Sequence, residues 1–236
     1  MVNKFAATLL DGLFPNYCTL CQLPCAGALP LCDDCRLELP ANSCACRRCA
    51  LPLATETGTT CGACLRQPPD FDRVVAPWLY GEYLAYLLRR WKFQGDRRLT
   101  PLLADLWKQA LATPPEVEVI APVPLHWMRQ WRRGYNQSEL LARALQRQWP
   151  HLAVDSSLLR RNRRTRAQSG MNARQRSRNL REAFTASSSC ANLRVAVVDD
   201  ILTTGATAGE VARTLKRAGA AHVEIWCLAR TPSPGD

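Results

Sequence analysis

Apolar and polar positions along residues 71–236 predict strands and helices in turn. Residues 195–198 are consecutive apolar residues, a pattern typical of a strand buried on both faces of a parallel sheet. Two acids and a hydroxyl-rich turn follow, and apolar residues then recur at helical spacing from Ala208 to Ala218, before a Gly219 that suits a helix C-terminus. The stretch is therefore predicted to be a strand, an acidic tip, a turn and a helix.

The same patterns predict the other elements of an α/β domain. Strands are predicted at 73–80, 117–123 and 223–230, and a further strand is predicted to end at Leu158 and Leu159. Helices are predicted at 83–91, 99–111 and in the second half of 126–145. Strands that alternate with helices favour a parallel sheet with helices against it.

The turn after the acidic tip has the chemistry of an anion site. A helix N-terminus presents unpaired backbone N–H groups and the positive end of its dipole to an anion. Threonine hydroxyls add donors, and Gly205 lets the backbone approach closely. Asp199 and Asp200 would repel a phosphate, so we expect them to accept hydrogen bonds from sugar hydroxyls. The implied ligand is a ribose 5-phosphate; the alternative is a strand-to-helix turn capped by Asp and Thr, without a ligand.

Residues 195–207, VAVVDDILTTGAT, resemble the phosphoribosyl pyrophosphate (PRPP) signature of type I phosphoribosyltransferases. The resemblance implies that fold, and it implies that PRPP binds together with Mg²⁺. It also implies that Asp199 and Asp200 hold the ribose 2′ and 3′ hydroxyls. The residues implied to hold the 5-phosphate are Thr203, Thr204, Gly205, Ala206 and Thr207.

Cysteine spacing changes the picture for residues 18–64, which contain ten of the twelve cysteines as four Cys-x2-Cys knuckles and two further residues, Cys25 and Cys44. Each knuckle can place two thiolates on one ion, so four knuckles predict two Zn²⁺ sites. Near-equal spacings favour sequential pairing in a double zinc ribbon over a cross-braced module, and disulfides are the alternative. The predicted ligand sets are Cys18, Cys21, Cys32 and Cys35, and Cys46, Cys49, Cys61 and Cys64.

This cysteine-rich segment has few large apolar residues, so metal is expected to supply its folding energy. With four thiolates each, the sites lack an open position and are predicted to be structural. We expect a ribbon module at 1–68 and a phosphoribosyltransferase-like domain at 69–236. The N-terminus lacks a signal-peptide layout and no apolar run reaches ~18 residues, which predicts a cytoplasmic protein without a membrane span.

The net charge of +11 belongs to one segment. Residues 126–182 contain 14 Arg, no Lys and 3 acids, and 14 minus 3 accounts for the whole excess. In type I phosphoribosyltransferases the loop after an early strand receives pyrophosphate, which implies this role for part of 126–136; a solvated loop is the alternative. The candidates for pyrophosphate or nucleic-acid binding are Arg129, Arg132, Arg133, Gly134, Arg163, Arg164 and Arg166.

Such dense positive charge exceeds the need of a small substrate and suits single-stranded DNA. Aromatic residues among the arginines could stack on bases: Trp127, Trp131, Tyr135 and Trp149. A basic loop without a partner is the alternative for 160–166. Of the remaining cysteines, Cys227 is predicted in the core and Cys190 in a loop.

The chain resembles the ComF family over nearly its whole length. The resemblance is carried by the segments VPLH and RRGYNQS and by Thr165, Gln168, Ala173, Arg176, Asn179 and Phe184. The resemblance implies an accessory role in DNA uptake, competence or use of DNA as a nutrient, with a DNA-uptake helicase or other competence proteins as partners. An active phosphoribosyltransferase that transfers ribose 5-phosphate to a nucleobase or other acceptor is the alternative.

Overall fold

The structure is a computed structural model that describes residues 16–25, 29–54, 59–111, 116–125, 128, 131, 134–162, 180 and 182–232. The strands are β1 (Asn16–Tyr17), β2 (Pro24–Cys25), β3 (Arg73–Val75), β4 (Trp78–Leu79), β5 (Val119–Pro122), β6 (Ala153–Val154), β7 (Leu159–Arg161), β8 (Phe184–Ala186), β9 (Arg194–Val198), β10 (Ile201–Leu202), β11 (His222–Trp226) and β12 (Ala229–Arg230). The helices are α1 (Asp33–Leu37), α2 (Gly62–Arg66), α3 (Glu82–Phe93), α4 (Leu99–Gln109), α5 (Gln137–Gln148) and α6 (Ala206–Arg217).

A five-stranded sheet of order β3-β11-β9-β5-β6 carries the fold, and every neighbouring pair in it is parallel. Strand β9 is central, and its residues alternate between the two faces. Ala196 and Val198 pack in the core on the side of α3, α4 and α5, whereas Val195 and Val197 pack on the side of α6. The predicted parallel sheet with flanking helices is confirmed.

Three tryptophans fill the core on the α4 side. Trp107 lies 4.8 Å from Trp226 and 5.9 Å from Trp149, measured between ring centroids. Trp149 is only 8% exposed, so its predicted part in base stacking is wrong. Helical spacing explains this burial, because Trp149 caps the end of α5 four residues after Leu145, which follows Leu141 by four, and both leucines face the core.

Two of the predicted strands are each divided between two sheets. Residues 73–80 form β3 and β4, and residues 223–230 form β11 and β12. The first strand of each pair lies in the large sheet, while β10, β12 and β4 make a second, three-stranded sheet. Pro77 separates β3 from β4 because it lacks a backbone N–H for a ladder. The small sheet carries the chain from the carboxyl edge of the large sheet into the turn before α6.

Cys190 is fully buried in the core on the α6 side, within a short 3₁₀ turn (Ser188–Cys190). Cys190, predicted in a loop, lies in the connection between β8 and β9, and it is buried because this turn packs on the last turn of α6. The sulfur lies 3.8 Å from the carbonyl oxygen of Leu215. Cys227 is also fully buried, and its prediction as a core residue is confirmed.

The cysteine-rich segment packs against the large domain at two places. Cys18, Leu31 and Leu39 belong to the same core cluster as Trp91 of α3. Ala50 joins the cluster on the other side of the sheet. Within the residues that the structure describes, no helix is both long and apolar enough to cross a membrane.

Candidate functional site

The acidic pair stands at the carboxyl edge of the large sheet. The N–H of Asp199 still donates to the carbonyl of Trp226 at 2.9 Å, so Asp199 follows directly on the ladder of β9. The two aspartates are half-buried, β10 comes immediately after them, and α6 begins four residues after the end of β10. In parallel α/β sheets ligands bind at this edge. The acidic pair and the N-terminus of α6 therefore lie at the same edge of the sheet, where a ligand would bind.

Gly205 is the N-cap of α6 and has a left-handed backbone with φ of 77°. A Cβ added there would meet no atom within 4 Å, so the backbone angle rather than space favours glycine. The neighbouring Thr204 hydroxyl accepts from the N–H of Ala206 at 3.4 Å. We name residues 203–207 the phosphate loop. It joins a glycine turn, hydroxyls and a helix N-terminus, the predicted elements of an anion site.

Only one of the two aspartates has a cation beside it among the described residues. Lys92 of α3 makes an ion pair with Asp200, with 2.8 Å between Nζ and Oδ2. Asp199 has no such cation in contact among the described residues; its Oδ1 accepts from the N–H of Asp200 at 2.8 Å and from the Ser138 hydroxyl at 3.4 Å. Burial, followed by the adjacent negative charge of Asp200, raises the pKa of Asp199 to about 7. In the ligand-free protein the negative charge of an ionised Asp199 is therefore energetically unfavourable.

Lys92 and Ser138 are site residues that sequence reasoning missed. Lys92 is brought in by the packing of α3, and no local motif signals it. Ser138 follows Asn136, whose side chain caps α5 by accepting from the N–H of Ser138 at 3.1 Å and donates to the carbonyl of Val123 at 3.0 Å. An Asn before an apolar-periodic stretch is a capping signal that could have placed Ser138 at a helix start beside the end of β5.

The candidate pyrophosphate loop is described only in part. Gly134 has a φ of 75°, and the next residue, Tyr135, donates its hydroxyl to the carbonyl of Trp91 at 2.6 Å. The guanidinium carbon of Arg97 lies 4.6 Å from the centroid of the Tyr135 ring. Tyr135 thus joins this segment to the end of α3 while remaining half-buried, and its part in base stacking stays a prediction. Arg129, Arg132 and Arg133 lie outside the described residues.

The arginines predicted to bind DNA belong to a segment between β7 and β8, which pair antiparallel with each other. Arg163, Arg164 and Arg166 lie outside the described residues. Among the aromatic candidates, Trp131 is 83% exposed, whereas Trp127 lies outside the described residues.

The knuckle cysteines form two compact groups. Within each group the four sulfur atoms all lie within 4.8 Å of one another, and the first knuckle is grouped with the second and the third with the fourth. Gln22 and Ala50, which follow the first and third knuckles, both have a left-handed backbone, with φ of 62° and 54°. Both groups fit a tetrathiolate Zn²⁺ site with no open position.

Two family models match this chain. The model described as "Double zinc ribbon domain" matches residues 9–65, and the model described as "Phosphoribosyl transferase domain" matches residues 132–236. The parallel sheet with its acidic strand tip and phosphate loop, preceded by two four-cysteine sites, therefore defines a phosphoribosyltransferase-fold protein with an N-terminal double zinc ribbon.

Relatives that match most of the chain specify the family. The chain is 37% identical over 224 residues to the DNA utilization protein YhgH of Escherichia coli K12, covering 92% of this chain and 98% of that protein. It is 40% identical over 179 residues to competence protein F of Haemophilus influenzae, covering 72% and 78%, and 29% identical over 157 residues to competence protein ComFC of Bacillus subtilis, covering 65% and 62%. The chain belongs to the ComF family.

The raised pKa of Asp199 predicts a stability change with pH. A carboxyl whose pKa is about 7 in the folded protein and about 3.9 in the unfolded chain destabilises the fold increasingly as pH rises from about 4 to 7, and fully above it. We therefore expect Asp199→Asn to stabilise the ligand-free protein at about pH 8 by roughly 1 to 3 kcal/mol, raising Tm by about 3 to 9 °C. The gain should shrink as pH falls toward 5. Differential scanning calorimetry measures it.

Asp200→Asn is the matched control, because it removes a charge from the same tip but also deprives Lys92 of its partner. We expect a smaller gain from it than from Asp199→Asn. A fall in Tm at pH 8 with Asp199→Asn, or a gain that grows as pH falls, would contradict the electrostatic account.

Proposed function

We propose that this protein is a cytoplasmic accessory factor in DNA uptake or in the use of DNA as a nutrient, which binds PRPP with Mg²⁺ and also binds single-stranded DNA. The observation that carries the proposal is the acidic pair beside the phosphate loop at the carboxyl edge of the sheet. The names of the relatives in E. coli and H. influenzae support the DNA-related role.

The roles of the site residues follow from their chemistry. Asp199 and Asp200 would accept hydrogen bonds from the ribose 2′ and 3′ hydroxyls, and the first N–H groups of α6 with the threonine hydroxyls would hold the 5-phosphate. Mg²⁺ would neutralise the pyrophosphate charge. Lys92 must then exchange part of its contact with Asp200 for the ligand, because it lies against the same carboxylate.

DNA binding rests on the charge and the exposed aromatic side chain. The segment 126–182 supplies the whole net charge of the protein, and a charge of this size is suited to a phosphate backbone. Trp131 is 83% exposed, so its indole ring is accessible to a base. Aromatic stacking with backbone neutralisation binds single strands without sequence preference.

A second function is favoured by one observation: the acidic pair and the phosphate loop are complete, as an active phosphoribosyltransferase requires. In that case PRPP would react with a nucleobase or other acceptor and release pyrophosphate. Incubation with PRPP, Mg²⁺ and each nucleobase, with pyrophosphate release as the readout, separates the two functions. Release together with no binding of an oligonucleotide would favour the enzyme.

We expect two contributions to the DNA affinity: phosphate contacts, which weaken as salt rises, and aromatic stacking, which salt does not weaken. Contacts to about five phosphates give a log-log salt slope of roughly −3.5 for a single strand. Trp131→Ala should weaken binding by about 1 to 3 kcal/mol with little change of slope, whereas Arg163→Ala with Arg164→Ala should flatten the slope by about one to two units. Fluorescence anisotropy with a labelled ~20-nucleotide strand measures both.

Tyr17→Ala is the control, because Tyr17 is another exposed aromatic residue, 59% accessible, but lies in the zinc ribbon. It should leave DNA affinity unchanged. If Tyr17→Ala and Trp131→Ala reduced the DNA affinity equally, the DNA-binding surface would include the zinc ribbon. If the wild type did not bind the oligonucleotide at low salt, the DNA-binding part of the proposal would be excluded.

A further inference from the structure

Arg230 connects two parts of the protein that are far apart in sequence. Its side chain is buried, and its Nε donates to the carbonyl of Cys49 at 3.1 Å. Its Nη1 donates to the carbonyl of Leu202 at 3.1 Å, to that of Thr231 at 2.6 Å, and to that of Thr203. One guanidinium therefore holds four backbone carbonyls together.

The two ends of this contact are functional segments. Cys49 belongs to the second four-cysteine group. Leu202 ends β10, and Thr203 begins the phosphate loop. Since the Cys49 bond comes from Nε and the loop bonds come from Nη1, a single rotamer of Arg230 fixes the position of the loop relative to the knuckle. The rigid planar fork of arginine makes such a geometry specific.

The small sheet runs alongside this contact. Strand β10 pairs with β12, which contains Arg230, and β12 pairs with β4. The N–H of Leu79 in β4 donates to the carbonyl of Pro40, between the two ribbons, at 2.8 Å. The pairing of β12 with β10 and β4 therefore fixes the backbone of Arg230. Its side chain then connects the second four-cysteine group to the phosphate loop.

Charge also ties Arg230 to the second ribbon. Among the described residues no carboxylate makes an ion pair with Arg230, and a buried cation without compensation is costly. A zinc ion with four thiolates carries two net negative charges, which would compensate it. The occupied zinc site thus favours the buried position of the guanidinium.

We propose that Arg230 is a positioning residue, through which the second four-cysteine zinc site holds the phosphate loop in its ligand-binding conformation. The inference rests on the proposed function in taking residues 203–207 as the ribose 5-phosphate site. Loss of the Arg230 contacts, or of zinc from the second site, would leave the loop competent for a smaller fraction of the time. The apparent affinity falls in proportion to that fraction.

Hydrogen exchange of the full zinc-loaded chain, without ligand, tests the loop directly. Arg230→Lys keeps the charge but cannot reach both ends, and it should raise exchange in peptides covering 199–207 by roughly tenfold while those of β11 stay unchanged. Affinity for PRPP with Mg²⁺ should weaken by about five- to twentyfold, while zinc content and DNA affinity remain those of the wild type.

Arg48→Lys is the matched control. Arg48 lies in the third knuckle and donates to the carbonyl of Pro69 at 3.1 Å, away from the phosphate loop. It should leave exchange over 199–207 unchanged. If Arg230→Lys exchanges like the wild type there, or if Arg48→Lys produces the same increase, the inference is overturned.

If Arg230→Lys does not fold, Cys64→Ser decides the matter by emptying only the second zinc site. Faster exchange over 199–207 with unchanged exchange in β11 supports the inference, and wild-type exchange over 199–207, or an equal increase in β11, overturns it. Because exchange is measured without ligand, these outcomes are independent of whether the wild type binds PRPP. Wild-type protein that fails to bind PRPP contradicts the proposed function instead.

Discussion

Asp199→Asn and Asp200→Asn should each weaken binding of PRPP with Mg²⁺ by about tenfold to a hundredfold without unfolding the protein. Each carboxylate is expected to accept a hydrogen bond from a ribose hydroxyl, and a hydrogen bond to a charged group contributes about 1.5 to 3 kcal/mol. The amide keeps the shape of the side chain but removes the charge. Isothermal titration calorimetry gives the affinities, and circular dichroism verifies the fold.

Asp155→Asn provides the control for this pair. Asp155 also follows a strand of the large sheet, since β6 ends at Val154, but its carboxylate accepts from the N–H and hydroxyl of Ser157 at 2.8 and 2.6 Å. It should leave the PRPP affinity within about twofold of the wild type. Wild-type affinity in both Asp199→Asn and Asp200→Asn would show that the acidic pair does not hold the ribose.

Removal of zinc should have the largest effect on the fold. We expect two zinc ions per chain, and their extraction under reducing conditions should unfold the cysteine-rich segment, because it has little core of its own and zinc binding supplies on the order of 10 kcal/mol in comparable sites. The large domain should also lose stability, since Leu31 and Leu39 then leave the cluster that contains Trp91. Metal analysis and a fall in Tm of about 10 °C or more measure this outcome.

Cysteine variants locate the effect. Cys64→Ser should remove one zinc ion, whereas Cys44→Ser, outside both four-cysteine groups, should retain both. Cys25→Ser is a second control, because the Cys25 sulfur contacts the carbonyl of Leu29 at 3.9 Å and lies outside both groups. Fewer than about one zinc per chain in reduced wild-type protein would exclude the metal account.

The parts of the fold that depend on local pattern were predictable from the sequence. Residues 195–198 are apolar on both faces because helices cover both sides of the sheet, and a buried parallel strand needs no other signal. The knuckles at Cys18 and Cys46 are recognisable because two thiolates on one ion require a short fixed spacing.

Contacts between distant segments were not predictable in this way. Lys92 reaches Asp200 only after α3 packs on the sheet. Arg230 reaches Cys49 only because the chain leaves the large sheet after Trp226 and enters the small sheet as β12. Trp149 and Trp131 both lie among arginines, which is why both were predicted to stack on bases. The spacing of Trp149 from Leu141 and Leu145 was the local signal that separates the buried residue from the exposed Trp131.

The central claim is that the acidic pair and phosphate loop form a working PRPP site in a protein that also binds single-stranded DNA. Calorimetric titration of the zinc-loaded wild type with PRPP and Mg²⁺, repeated with a ~20-nucleotide single strand, tests it most directly. The account predicts saturable binding of PRPP with a dissociation constant of about 1 to 100 μM, and separate binding of the oligonucleotide. No heat of PRPP binding at about 1 mM would contradict it.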